Sequence, residues 1–145
     1  MAEETMRSIT IDAPAADIMA VIADFERYPE WVEAAKEVAV LERQSDGRAI
    51  LVHYVLDAGP VKDTYALQYS WAPDGLSVTW ELVRSELQKT QAGRYSLQTE
   101  DDGSTTVTYE LTLDLNIPVI GVIKRMGERV ITDTALLELK KRVES

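Results

Sequence analysis

The chain of 145 residues has no cysteine, a single histidine (His53) and a single phenylalanine (Phe25). Without cysteine there can be no disulfide, thiolate nucleophile or thiolate-ligated metal, and one imidazole is too little for a zinc or transition-metal site. A Ser-His-Asp relay would have to use His53, and no serine lies in a nucleophile motif. G-x-G-x-x-G, the P-loop, H-E-x-x-H and G-x-S-x-G are all missing. The acidic pair Asp101-Asp102 lacks the spacing and the following glutamate of a calcium loop. No metal and no other cofactor is expected. No apolar run approaches the ~20 residues of a membrane span, and the start, MAEETMRS, has no signal-peptide core. The expectation is a cytoplasmic protein with no stable membrane insertion. A net charge of −10 leaves little basic surface for counterion release, so nucleic acid is not an expected partner. Any catalysis would be acid–base or positional work by Tyr, Arg, Asp or Glu in a pocket.

What is present suits one ordinary domain over residues 1–145, 46% hydrophobic and 28% charged. Residues 5–11 alternate weakly and read as a strand. Pro14 suits the first turn of a helix whose apolar stripe is Ile18, Val21, Ile22 and Phe25, with Pro29 as its stop. A second short helix or turn is expected around Glu30–Ala35. From Lys36 the period changes to two. Asp-Gly occurs between alternating runs at Asp46-Gly47, Asp74-Gly75 and Asp102-Gly103, the strongest short-range hairpin signal. Asp57-Ala58-Gly59-Pro60 supplies a fourth turn. Six strands then follow one another with no helical pattern between them, so the sheet is expected to be antiparallel and the class α+β.

Alternation assigns the faces, provided no register slips. Tyr65, Leu67, Tyr69 and Trp71 share a side, as do Leu76, Val78, Trp80, Leu82 and Arg84. Ile50, Val52, Tyr54 and Leu56 form another row, Tyr95 and Leu97 another, and Val107 to Leu115 the last. The inward rows are rich in Tyr and Trp, whose polar tips need partners when buried. Either the hydroxyls reach the rim of the sheet or several converge on a cavity, where they would orient an apolar ligand. Arg84, continuing the Trp80–Leu82 alternation, is expected inside or at the mouth of that face, paired with Glu86 or with a ligand oxygen. His53 alternates to the opposite side.

The run from Asn116 to Ser145 reads as one long helix opening near Pro118, with Lys140, Lys141 and Arg142 in its last turn. Apolar residues recur at Ile123, Met126, Val130 and Leu137, with Ile120 and Ile131 one stripe over, so that side is expected to be buried. Gly121 and Gly127 each cost about 1 kcal/mol against alanine. They would make room for a ligand, allow close approach to the sheet, or break the helix. The stretch 124–142 carries a surplus of three positive charges, suited to the helix dipole or to an acidic protein partner.

The whole chain resembles the START-like, helix-grip superfamily of polyketide cyclase/dehydrase and lipid-transport proteins. The residues that carry the likeness are Ile11-Asp12-Ala13-Pro14, the segment Asp24-Phe25-Glu26-Arg27-Tyr28-Pro29-Glu30-Trp31, Gly93-Arg94-Tyr95, Val107-Thr108-Tyr109 and the terminal helix. The Tyr28–Trp31 segment also looks like that of coenzyme Q-binding relatives. The resemblance implies a seven-stranded antiparallel sheet curved around the C-terminal helix, two short helices after the first strand, and a cavity between sheet and helix with Trp31 near its mouth. The expected ligand set is Trp31, Tyr54, Tyr65, Tyr69, Trp80, Arg84, Tyr95, Tyr109, Ile123, Gly127 and Ile131; no family catalytic residue maps onto the chain. The leading expectation is a soluble carrier of a hydrophobic small molecule, a lipid, isoprenoid quinone or aromatic polyketide. Two alternatives are a polyketide cyclase or dehydratase using Arg84 with Tyr65 or Tyr109, and a protein-interaction module using the basic helix.

Overall fold

The computed structural model describes residues 5–58, 61–116 and 121–145, and the side chains of 5–57, 62–116 and 129–145. The elements are β1 (Thr5–Ile11), α1 (Ala15–Ala23), a 3₁₀ helix (Phe25–Glu30), β2 (Ala35–Arg43), β3 (Ala49–Ala58), β4 (Val61–Trp71), β5 (Ser77–Ser85), β6 (Gln88–Thr99), β7 (Thr105–Leu115) and α2 (Gly121–Glu144). All seven strands pair antiparallel in one sheet, ordered β1-β7-β6-β5-β4-β3-β2. The α+β class and the seven-stranded arrangement therefore stand as expected.

The three Asp-Gly turns share one geometry. Gly47 and Gly103 sit at φ 92° and 89°, a left-handed conformation that glycine adopts without steric cost. In each turn the aspartate accepts the N–H two residues on: Arg48 to Asp46, Leu76 to Asp74, Ser104 to Asp102, all at 2.9 Å.

β1 and β2 lie at opposite edges of the sheet, so the chain between them must travel six inter-strand gaps of about 4.8 Å. α1 and the 3₁₀ helix make that crossing. α1 ends at Ala23, earlier than Pro29 would require, and the chain tightens into a 3₁₀ helix that accommodates Pro29 within it. The second short helix thus lies at Phe25–Glu30, and the segment around Glu30–Ala35 is a turn in which the Ala35 N–H bonds the Val32 carbonyl at 3.1 Å. The tightening turns Phe25 fully inward, against Tyr69 and Trp71.

α2 packs on β1, β7 and α1. It runs unbroken from Gly121, so Gly127 does not interrupt it; Pro118 and Ile120 lie outside the described residues, as do the side chains at 121–128. The face expected to be buried is not the buried one. Val130, Ile131 and Leu137 are 64%, 44% and 59% exposed, while Thr132, Leu136 and Leu139 are buried. Leu136 and Leu139 join the core cluster, with Ala135 and Val143 packed against it, and Val130 and Leu137 lie on the far side of the helix. On the flank toward β1, Asp133 pairs with Arg7 at 2.8 Å and Lys140 donates to the Thr10 carbonyl at 2.7 Å. Leu139→Ala should therefore destabilise the fold by about 3 kcal/mol. Leu137→Ala should change it by less than about 0.5 kcal/mol. Urea unfolding of the two variants measures the difference.

Candidate ligand site

The inner face of the sheet carries almost all of the aromatic side chains. Val52, Tyr54, Leu67, Tyr69, Val78, Trp80, Tyr95, Leu97, Val107, Tyr109 and Leu111 are buried there, as alternation requires. All ten aromatic residues of the chain form one connected network. Ring centroids 4.7–6.5 Å apart link Trp31 and Tyr28, through Phe25, Tyr54, Tyr65, Tyr69 and Trp71, to Trp80, Tyr95 and Tyr109. His53 pairs with Ala66 on the outer face, as expected.

The polar tips divide into two groups. Tyr28 donates to the Ile22 carbonyl, the Tyr54 and Tyr69 hydroxyls bond each other, Trp71 donates to the Ala49 carbonyl at 2.8 Å, and Trp80 donates to Gln91 at 2.9 Å. The hydroxyls of Tyr65, Tyr95 and Tyr109 bond no described residue. Yet no buried side-chain nitrogen or oxygen among the described residues lacks a partner. These three oxygens therefore each touch open space, although Tyr95 and Tyr109 are themselves more than nine-tenths buried. Burial pushes all six phenols above their ordinary pKa, and for most of them the neighbouring phenols add to the effect. For Tyr69 burial outweighs the opposing hydrogen bond from Tyr54, and for Tyr95 the Glu138 carboxylate contributes to the rise. At neutral pH the interior presents uncharged hydroxyls.

Trp80 lies flat on its cross-strand partner Gly93. A Cβ at position 93 would stand 2.3 Å from Cζ2 and 2.7 Å from Nε1 of the indole, so the glycine is required by contact.

Arg84 is not part of the site. β5 carries an extra residue between the pairs Leu67–Leu82 and Ala66–Arg84. This bulge at Val83 breaks the alternation, placing Arg84 opposite Ala66 on the outer face, exposed and paired with no described carboxylate, Glu86 included. Ile131 is exposed but lies on the side of α2 that faces the loop after the 3₁₀ helix. Two turns along that stripe, Glu138 accepts the Glu33 N–H at 3.1 Å, and Arg142 pairs with Glu30 at 2.9 Å. Trp31 is half-buried at the same corner; one side packs on Tyr28 and the other lines a cleft of about 200 Å³ with Ala20, Val21, Asp24, Arg27 and Arg142. Ile123 and Gly127 belong to the residues whose side chains are not described. A larger trough of about 460 Å³ lies on the outer face, over Ala92 and Gly93 and flanked by Gln68, Thr79, Glu81 and the Arg94–Glu110 pair. It is open and polar and meets the aromatic network only at Trp80, so the inner face is the stronger candidate.

One polar cluster on the inner face was not anticipated. Asp63, 3% exposed, accepts hydrogen bonds from Ser85, Glu86, Leu87 and Gln88. Its period-two relation to Tyr65 was a legible signal. Gln88 and Gln91, three apart, gave none, because a second bulge, between the pairs Gln88–Leu115 and Thr90–Asp114, is what brings both to the inner face.

A single curved antiparallel sheet gripping a C-terminal helix defines the helix-grip class, and comparison with known proteins agrees. The chain belongs to the family described as polyketide cyclase / dehydrase and lipid transport, whose model matches residues 11–140. No curated protein matches it. Among solved structures, a START superfamily protein from Mycobacterium smegmatis superposes with a TM-score of 0.91 at 20% identity, covering 97% of each chain. The ZhuI aromatase/cyclase from Streptomyces sp. R1128 gives 0.82 at 14% identity, covering 99% of this chain and 94% of that one. A protein from Thermus thermophilus gives 0.81 at 18%, covering 97% of each. At these identities the likeness is one of fold. Among the described residues no helix is long and apolar enough to cross a membrane, and no His, Cys, Asp and Glu group could hold a metal ion.

Two measurements follow from the site. Gly93→Ala should cost about 2 kcal/mol by overpacking against Trp80, and much less in a Trp80→Leu background, as a double-mutant cycle in urea would register. The phenols' folded-state pKa values are raised. Their contribution to stability is therefore complete below about pH 10, the unfolded value, and is lost as pH climbs beyond it. Tyrosinate absorbance should stay low in the folded protein through about pH 10, rising only as the chain unfolds.

Proposed function

We propose that the chain is a soluble binding or carrier protein for an apolar, ring-bearing small molecule, held between the inner face of the sheet and α2. The observation that carries this is the trio of phenol hydroxyls, Tyr65, Tyr95 and Tyr109, which sit on buried or half-buried side chains yet open onto unfilled space. A fully packed core would leave such groups bonded or absent, because an unpaired buried hydroxyl costs roughly 1–3 kcal/mol. The flat faces of Trp80, Tyr95 and Tyr109 suit a planar ligand, and the neutral hydroxyls would orient its polar atoms. Family membership supports the same class, since its description joins polyketide chemistry with lipid transport.

A cyclase that uses Arg84 to stabilise an enolate is not favoured, because that guanidinium lies outside on the convex face. Phenols raised by burial are also weak proton donors, better suited to orientation than to acid catalysis. The basic helix keeps Arg129 exposed for a protein partner, and no described contact identifies one.

Native mass spectrometry of the protein mixed with menadione or 2-methylnaphthalene tests the proposal. A saturable one-to-one complex with either is the expected result, with Tyr109→Trp, which fills the space beside Trp80, weakening it about tenfold or more. Folded protein that binds neither compound would refute the carrier role.

A further inference from the structure

The two bulges act at the same end of the β5–β6 hairpin. The first turns Arg84 out of the interior, and the second turns Gln88 and Gln91 into it on one face. The side chains then form a chain of hydrogen bonds with no ambiguity of direction. At one end Asp63, surrounded only by donors, can only accept: from Ser85 Oγ at 2.6 Å, from the Glu86 and Leu87 N–H groups at 3.2 and 3.1 Å, and from Gln88 Nε2 at 2.9 Å. Gln88 must therefore aim its amide nitrogen at Asp63 and its oxygen away. That oxygen accepts from Gln91 Nε2 at 2.6 Å. At the other end the Trp80 indole can only donate, and Gln91 Oε1 accepts it at 2.9 Å. An acceptor at one end and a donor at the other fix both amides, because flipping either would set like against like twice.

One group is left over. Gln91 Nε2 carries a second N–H, and no described residue accepts it. Gln91 is half-buried on the inner face, opposite Leu113 and two residues from Gly93 under the Trp80 ring. Its first N–H is occupied by Gln88 and its oxygen already accepts the indole, so the unused group the amide offers to the site is a donor.

We infer that Gln91 is a ligand-binding residue that donates to a carbonyl oxygen of the ligand, and that Asp63, acting through Gln88, is the positioning residue that keeps the amide in that sense. The ligand class is a neutral ketone or quinone on a flat ring system. This rests on the carrier role proposed above and sharpens it.

Menadione and 2-methylnaphthalene share a methylated two-ring shape and differ in the two carbonyl groups, and the absence of cysteine means menadione forms no thiol adduct. Dissociation constants for both, read by tryptophan quenching in the full chain, should show wild type preferring menadione. Gln91→Met, similar in size but with no donor, should weaken menadione about threefold to tenfold, the worth of one hydrogen bond, and leave 2-methylnaphthalene unchanged. Asp63→Asn, which sets an amide among donors and releases the chain, should erode the same preference. An undiminished preference in Gln91→Met overturns the inference and leaves the carrier role intact. Failure of wild type to bind either compound overturns both. Should the variants not fold, the Gln91 side-chain amide resonance in wild type decides: a shift with menadione well beyond that with 2-methylnaphthalene supports the donor role, and equal shifts refute it.

Discussion

Everything inside this protein is governed by the cost of taking a polar atom out of water without giving it a partner. The interior is built from amphipathic rings rather than from phenylalanine, so each ring brings a hydroxyl or an N–H that has to be answered. Most answers are local: a helix-end carbonyl for Tyr28, a strand carbonyl for Trp71, the paired hydroxyls of Tyr54 and Tyr69. Where no partner exists, on Tyr65, Tyr95 and Tyr109, the packing leaves space instead. The polar character of the inner face is a result of the same rule.

The rule also shapes the end of the sheet where β5 turns into β6. Asp63 sits on the inner face by simple alternation, and a lone carboxylate there would be prohibitive. Two backbone N–H groups, a serine and a glutamine from the turn converge on it, so among the described residues the burial is compensated by neutral donors. The bulges that make this convergence possible re-aim their neighbours, which is the recurring use of such irregularities next to binding sites. Exclusion of the arginine and inclusion of the two glutamines are the work of two bulges at one end of the β5–β6 hairpin. Together they keep the guanidinium outside and give the inner face hydrogen bonds of defined polarity.

Much of this was legible in the residues. The Asp-Gly turns and period-two runs disclosed six successive antiparallel strands, and the alternation placed Tyr54, Tyr65, Tyr69, Trp80, Tyr95 and Tyr109 on the face where they are found. What escaped was whatever depends on a broken period. Arg84 was assigned inward because Val83 looked like any alternate residue, and only cross-strand pairing reveals it as extra. On α2, adjacent leucines at 136 and 137 made two stripes equally apolar. The choice between them rests on the core that Leu136 and Leu139 enter, whose members include Ile11 and Ile18, more than a hundred residues away in sequence. Gly93 was visible as part of a motif, but its necessity depends on an indole from the neighbouring strand.

The placement of β1 beside β7 has a kinetic side. Ile11 pairs with Thr105 and Thr5 with Leu111, so the ladder closes a loop of about a hundred residues. Hairpins β2 to β7 are each joined by short turns and can zip sequentially, whereas β1 has no partner until the last strand exists. Of all the pairings in the sheet, β1 with β7 therefore has the longest loop to close. β1 carries Arg7 and the Thr10 carbonyl, two of the points that hold α2 alongside the Glu138–Glu33 and Arg142–Glu30 contacts, so the helix is seated in part by the strand with the longest loop to close.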